Sequence, residues 1–333
     1  MGGCGVTIRC YRLGVFGLAS VLLLLWSRSA LADGSAEVGV FPSTGAYRAT
    51  HREDRGGVTI IDFVGDYSRH LPSGESNIEA RAVIAQEFFR THPDQYDFLV
   101  LFSTFEFNSG EATALHWGVQ NTVRGLGIAP YNVSHLFGSA GRLLGYIDMA
   151  ALSRHVLDPV QPRFEDTLSS LGHEVLHQWS GRARFIDAQG QVSRALLGRN
   201  GAHWSDLLDT NASVLYGHKW RDNSDGTFTS EAIRTFLSPL ELYLAGWYRR
   251  DEVPPFVLID SPGHDPTSVP RPDLTLQGTA RVITIDQVIA AEGPRVPSAE
   301  QAQKAFRFAW ILLSSSGEAI DLAALSAIGQ VRQ

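Results

Sequence analysis

Short apolar runs separated by polar stretches predict that this chain folds around a mixed β-sheet. The predicted strands cover residues 58–64, 96–105, 143–149, 183–186, 256–259 and 280–285, with a further apolar run at 305–314 and an edge strand expected within 112–125. A hairpin is expected over residues 213–230, because the Asp225-Gly226 pair at its tip is a strong turn signal. A mixed sheet of these strands, packed on the helices described next, places the chain in the α+β class.

Apolar residues three or four positions apart predict amphipathic helices at residues 77–91, 164–181 and 238–249. Asn77 and Ser238 stand where a helix N-cap is expected. Glu241, three residues after Ser238, completes the pattern of a capping box. A final helix is expected from Glu318 onwards.

The helix at 164–181 contains the sequence HExxH at His173, Glu174 and His177. Residues four apart lie on the same face of a helix, so both imidazoles point the same way and can hold one zinc ion. Glu174 can then take a proton from a water molecule and pass it to a leaving amine, which predicts zinc-dependent peptide hydrolysis. The alternative is an ordinary buried helix, although two His and one Glu are costly to bury without partners.

A catalytic zinc site usually has three protein ligands and one open position, so a third ligand must lie elsewhere. The metzincin spacing fails because Ser180 and Ala183 stand at its Gly and His positions. The usual gluzincin spacing also fails, because no Glu occurs between Glu174 and Glu231. The candidates that remain are His203, Asp206, Asp209, Glu231 and Glu241.

His203 is the preferred third ligand. Glycines at 198 and 201 allow a sharp turn just before it, and Asp206 could orient a ligand ring. Asp206 and Asp209 stay open as alternatives, whereas Glu241 already has a structural task in the capping box and Glu231 follows the hairpin, where solvation is expected. For stabilising the oxyanion, Tyr216, Tyr243 and His218 are weaker candidates.

The stretch HEVLHQWSG, from His173 to Gly181, resembles the HExxHQW-Gly core of the aminopeptidase N-like gluzincins, which belong to the zincin superfamily of zinc metallopeptidases. The resemblance implies a zincin-like domain whose mixed sheet packs on the HExxH helix, with His173 and His177 as zinc ligands and Glu174 as the base. The Gly-x-Met-Glu-Asn exopeptidase motif is missing, and Leu196 stands at the family's third-ligand position. The expectation is therefore an endopeptidase rather than an aminopeptidase.

Residues 1–32 have the pattern of a signal peptide: two arginines, an apolar run at 13–26 and a small-residue site ending in Ala32. Cleavage after Ala32 would export the protein; an uncleaved anchor is the alternative. The expected organisation continues with a flexible arm at 33–57, a zincin-like catalytic domain at 58–250 and a C-terminal α/β extension at 251–333 that packs on it.

The amino-acid composition limits the kinds of molecule that this protein can bind. Both cysteines, Cys4 and Cys10, lie in the predicted signal peptide, so the exported chain would have no disulfides. A net charge of −7 without a basic run disfavours nucleic acid, and no later stretch is long enough to span a membrane. A peptide or protein substrate is expected. Two alternatives stay open, a non-peptidase metal hydrolase and an exported binding or surface protein with a structural or degenerate metal site. Residues 222–226 are either a plain turn or a calcium loop.

Overall fold

The computed structural model describes residues 6–9, 45–110, 112–233 and 236–333, which form a mixed α+β fold, so the predicted class is confirmed. The strands are β1 (Val6–Arg9), β2 (Arg48–Arg55), β3 (Val58–Val64), β4 (Phe98–Ser103), β5 (Leu115–Gly118), β6 (Gln120–Asn121), β7 (Tyr131–Asn132), β8 (Gly145–Ala151), β9 (Phe185–Ile186), β10 (Val192–Ser193), β11 (Lys219–Asp222), β12 (Thr227–Ala232), β13 (Phe256–Asp260), β14 (Thr275–Gln277), β15 (Thr279–Ile283) and β16 (Ala305–Ser315). The helices are α1 (Ile78–Thr91), α2 (Phe164–Leu176), α3 (Pro239–Leu244), α4 (Ile285–Glu292) and α5 (Leu322–Arg332).

One sheet organises the fold, with strands in the order β2-β3-β16-β4-β8-β5 and β1 added beside β16. The inner strands β3, β16, β4 and β8 are parallel. The outer strands β2 and β5 are antiparallel to their neighbours, and β1 is antiparallel to the first residues of β16. The inner strands are buried on both faces, which explains why they read as continuous apolar runs in the sequence.

The two faces of the sheet belong to two separate apolar clusters, because alternate side chains of a strand point to opposite faces. On one face, Leu99 and Leu101 of β4 pack in a cluster with Phe88 of α1. On the other face, Val100 shares a cluster with Leu171 of α2 and with residues of α5. The sheet therefore lies between α1 on one side and α2 and α5 on the other.

Helix α2 packs against β8 and the edge strand β5. It begins after Arg163, which has a left-handed conformation with φ of 78°, and it ends at Leu176 with His177 as its C-cap. In its first turn, Asp166 accepts a hydrogen bond from Arg163 Nε and Thr167 donates one to the carbonyl oxygen of Val156. The HExxH residues therefore occupy the last turn of a helix beside the sheet edge.

Two segments differ from the predicted organisation. Part of the predicted flexible arm at 33–57 is ordered, because residues 48–55 form strand β2 paired with β3, and residues 33–44 lie outside the described residues. The predicted extension at 251–333 contributes β16, which lies between β3 and β4 in the middle of the sheet. Of the predicted signal peptide at 1–32, the structure describes β1 alone. Within the described residues, no helix has both the length and the apolar character needed to cross a membrane.

Candidate metal centre

Three imidazoles meet beside the C-terminal end of α2. Ring nitrogens of His173, His177 and His203 lie within 4.8 Å of one another. The closest contact joins Nε2 of His173 to Nε2 of His203 at 3.2 Å. His177 and His203 are buried and His173 is half-buried. The structure thus places the preferred third candidate, His203, next to the helix pair, and this group can bind a metal ion.

Two glycines allow the segment of His203 to reach α2. A Cβ atom on Gly181 would lie 2.2 Å from the carbonyl oxygen of Ala202, and Gly181 has φ of +78°, so only glycine permits this approach without strain. A Cβ on Gly198 would lie 2.4 Å from the carbonyl oxygen of Trp204. The backbone amide of Gly198 donates to the carbonyl oxygen of His203, which closes the turn before the histidine. The expected sharp turn is present.

Backbone carbonyls fix the rings of His173 and His203. Nδ1 of His173 lies 3.0 Å from the carbonyl oxygen of Val214, and Nδ1 of His203 lies 2.9 Å from that of Arg199. Carbonyl oxygens only accept, so each Nδ1 carries a proton, and in a neutral ring Nε2 then presents its lone pair. Two such lone pairs at 3.2 Å repel unless they share a proton or a metal ion. Nitrogens bound to one tetrahedral zinc ion at about 2.1 Å are roughly 3.4 Å apart, so this spacing fits zinc.

His177 supplies the second argument for a metal. Among the described residues, neither of its buried ring nitrogens has a hydrogen-bond partner. Burial, followed by the neighbouring His173, lowers the pKa of His177 well below its usual value, which favours the neutral imidazole. A buried polar group without a partner is costly, and a neutral imidazole is the form that binds zinc. The donor set therefore fits a zinc ion of the three-ligand type.

Glu174 follows His173 on α2 and is not one of the grouped ligand residues. It is buried, and its Oε2 has no hydrogen-bond partner among the described residues. Burial, with a further contribution from Asp148, raises the pKa of Glu174 well above its usual range, while Arg69 and the backbone amide of His116 act against this rise. A divalent cation close to it would favour the ionised carboxylate.

The carboxylates that were alternatives to His203 are engaged elsewhere. Oδ2 of Asp206 lies 2.5 Å from Nε2 of His264, and its Oδ1 lies 3.3 Å from Nδ1 of His218. Asp209 accepts hydrogen bonds from two backbone amides, those of Asn211 and Trp220. The expectation that Asp206 orients the ring of a zinc ligand is not met, because the carbonyl oxygen of Arg199 performs that task for His203.

The two glutamates also have structural partners. Glu241 is fully buried and accepts hydrogen bonds from Trp204 Nε1 at 2.9 Å and from Ser213 Oγ at 2.6 Å. It also forms the predicted capping box with Ser238. Glu231 is exposed and pairs with arginine and lysine side chains of β11. Glu241 supports the centre indirectly, because it holds the indole of the residue that follows His203.

Of the three oxyanion candidates, Tyr216 lies at the centre. Its ring stacks on that of His203 with 4.5 Å between centroids. Its φ of 80° is rare for a bulky residue, and such strain concentrates at functional sites. The hydroxyl of Tyr243 instead accepts from the backbone amide of Arg295, and the ring of His218 is held by backbone carbonyl oxygens.

One residue at the centre was missed in the sequence. His116 is buried in β5, and neither ring nitrogen has a hydrogen-bond partner among the described residues. Burial lowers its pKa to about 3, so the ring is neutral. His116 also lowers the pKa of His177 electrostatically. Its backbone amide donates a hydrogen bond to Glu174. Its position in a short apolar edge strand was a sequence signal that His116 would be buried near the centre.

Comparison with protein-family models, with curated proteins and with solved structures found no match for this chain. The interpretation of the centre therefore rests on its geometry. Three imidazoles whose ring nitrogens lie this close together can hold a metal ion.

Proposed function

We propose that this protein is a secreted zinc-dependent peptidase with a zincin-like catalytic domain, acting as an endopeptidase. The observation that carries the proposal is the convergence of His173, His177 and His203; Glu174, the residue after His173, is buried on the same helix. Among the described residues, no further His, Cys, Asp or Glu joins this group. Three protein ligands leave one position open for reactants, whereas a structural zinc site has four.

The architecture around the centre supports the zincin-like part of the proposal. The HExxH helix α2 packs against a mixed sheet whose edge strand, β5, is antiparallel to β8. The sequence resemblance to zincins implies the same relation between sheet and helix. The signal-peptide pattern at 1–32 supports secretion.

In the proposed reaction, the residues of this chain hold the metal and handle the proton. A bound zinc ion would supply Lewis acidity, which polarises a scissile carbonyl group and acidifies water. Glu174 accepts a proton from the attacking water and then donates it to the leaving amine. Tyr216, whose ring stacks on that of His203, would donate a hydrogen bond to the oxyanion that develops. The carbonyls of Val214 and Arg199 keep two of the ligand rings in the binding tautomer.

The test is metal analysis of purified mature protein combined with casein digestion, with and without a chelator. We expect bound zinc, casein cleavage at internal bonds, loss of cleavage with the chelator and recovery on adding zinc. A protein that holds zinc and cleaves neither casein nor a peptide library would instead be a binding protein with a structural site. Cleavage that survives complete removal of metal would also overturn the proposal.

A further inference from the structure

A second group of metal-ligating side chains lies at the opposite edge of the sheet from α2. Ligand atoms of His51, Asp54 and His92 lie within 4.8 Å of one another. His51 and Asp54 belong to the edge strand β2, and His92 is the C-cap of α1. Nε2 of His92 lies 3.1 Å from Oδ1 of Asp54, and Nε2 of His51 lies 3.4 Å from Oδ2.

An irregularity in β2 brings two of these residues to the same side. In a regular strand, residues three apart point to opposite faces. The pairing of β2 with β3 shifts between His51, opposite Ile61, and Glu53, opposite Ile60, so that Arg52 is an extra residue. A bulge of this kind resets the alternation and re-aims a side chain, which lets Asp54 point to the side of His51.

Neighbouring groups fix these side chains by hydrogen bonds and ring stacking, as is usual for metal ligands. Thr59 Oγ1 donates to Oδ1 of Asp54 at 2.8 Å, and Nδ1 of His92 lies 3.1 Å from the carbonyl oxygen of Phe88. The ring of Phe88 also stacks on that of His92 at 4.3 Å. A carbonyl at Nδ1 orients the ring so that Nε2 faces Asp54, and such outer hydrogen bonds accompany most metal-binding histidines.

His51 faces the same carboxylate. Its Nε2 is buried and lies 3.4 Å from Oδ2 of Asp54, within ion-pair distance. The backbone amide of His51 is fixed by Oε1 of Glu87 at 2.6 Å, so the ring stays near the end of α1. The side chain of Asp54 is 53% exposed, which leaves a path for an ion and room for water ligands.

We propose that His51, Asp54 and His92 form a second site for a divalent transition-metal ion of the zinc class. Two imidazoles and one carboxylate suit zinc, whereas calcium and magnesium prefer oxygen ligands alone. The bound ion joins edge strand β2 to the end of α1 and so fastens the side of the sheet remote from α2. This site does not depend on the proposed peptidase activity.

The test uses zinc itself as the probe, with the mature protein saturated with zinc and then dialysed. The wild type should retain two equivalents, His177→Ala one, His51→Gln one, and the double variant none. His135→Gln is the matched control, since His135 is exposed and belongs to neither group, and it should retain two. Cobalt(II) bound to the His177→Ala variant should show visible absorption bands that disappear with His51→Gln or Asp54→Asn.

Retention of one equivalent by the wild type, with no loss in His51→Gln or Asp54→Asn, would overturn the proposal. In that case the two imidazoles pair with Asp54 without an ion. Circular dichroism of each variant separates loss of the ion from loss of the fold. Asp54→Asn is the safest variant, because its side chain is exposed and the amide is nearly isosteric with the carboxylate.

Discussion

Gly181→Ala should detach His203 from the metal centre. Gly181 has φ of +78°, and an added Cβ would lie 2.2 Å from the carbonyl oxygen of Ala202, the residue before His203. Since real Cβ atoms almost never approach closer than 3.0 Å, the segment carrying His203 must move away from α2 by roughly 1 Å. Metal–ligand distances tolerate only about 0.2 Å, so the bond from His203 to the ion is lost.

A control glycine with the same backbone conformation separates the effect of strain at positive φ from the effect of the close contact with Ala202. Gly190 has φ of +76°, and a Cβ there would meet nothing within 4 Å. Gly190→Ala should lose about 1–2 kcal/mol of stability, because an alanine is strained at positive φ, and Gly181→Ala should lose more, because its Cβ also meets the carbonyl oxygen of Ala202. Only Gly181→Ala should weaken zinc binding, by at least ~100-fold, since losing even an outer partner of a ligand costs about 10–100-fold.

Zinc affinity is measured by competition with a chromogenic chelator, and stability by urea unfolding of the metal-free variants. If Gly181→Ala binds zinc as tightly as Gly190→Ala, the close approach at Ala202 does not position His203. If a His203→Ala variant binds zinc with wild-type affinity, His203 is not a ligand.

Three further predictions concern the fold and the chain start. Gly145→Ala should destabilise the protein by about 1–3 kcal/mol in urea unfolding, because its Cβ would lie 2.3 Å from Nε2 of His116, and His116→Ala should relieve the loss. Asp148→Asn should cost about 3–5 kcal/mol, because it leaves the buried Arg81 guanidinium, now 3.0 Å from the carboxylate, without a counter-charge; an unchanged urea midpoint would contradict this. Amino-terminal sequencing of exported protein should begin at Asp33, and a start at Met1 would refute cleavage after Ala32.

Sequence patterns predicted strands, helices and turns well where the signal is local. The apolar run at 58–64 became β3 within the same bounds, and Asn77 caps α1 as expected, accepting from the backbone amide of Ala80. The hairpin around residues 223–226 also formed. These signals are local, because strand burial, capping and turns depend on neighbours in sequence.

Features that depend on distant contacts were harder to predict. The apolar run at 305–314 gave no sign that β16 would lie between β3 and β4, since the order of parallel strands is set by tertiary packing. The predicted helix at 238–249 ends at Leu244, where the chain turns through Gly246 with φ of +86°. The failed metzincin and gluzincin spacings and the two glycines before His203 indicated it as the third ligand. The buried hydrogen-bond partners of Asp206 and Glu241 are evident only from the three-dimensional structure.

The measurement that tests the central claim most directly compares casein hydrolysis by the wild type and by Glu174→Gln at equal, measured zinc content. The amide keeps the shape of the side chain but cannot accept a proton, so the variant should keep its zinc and lose nearly all turnover. His177→Ala is the contrasting variant, which should lose the zinc bound by His173, His177 and His203 together with the activity. Near wild-type turnover by zinc-loaded Glu174→Gln, or no turnover by the zinc-loaded wild type, would contradict the assignment of a zinc peptidase.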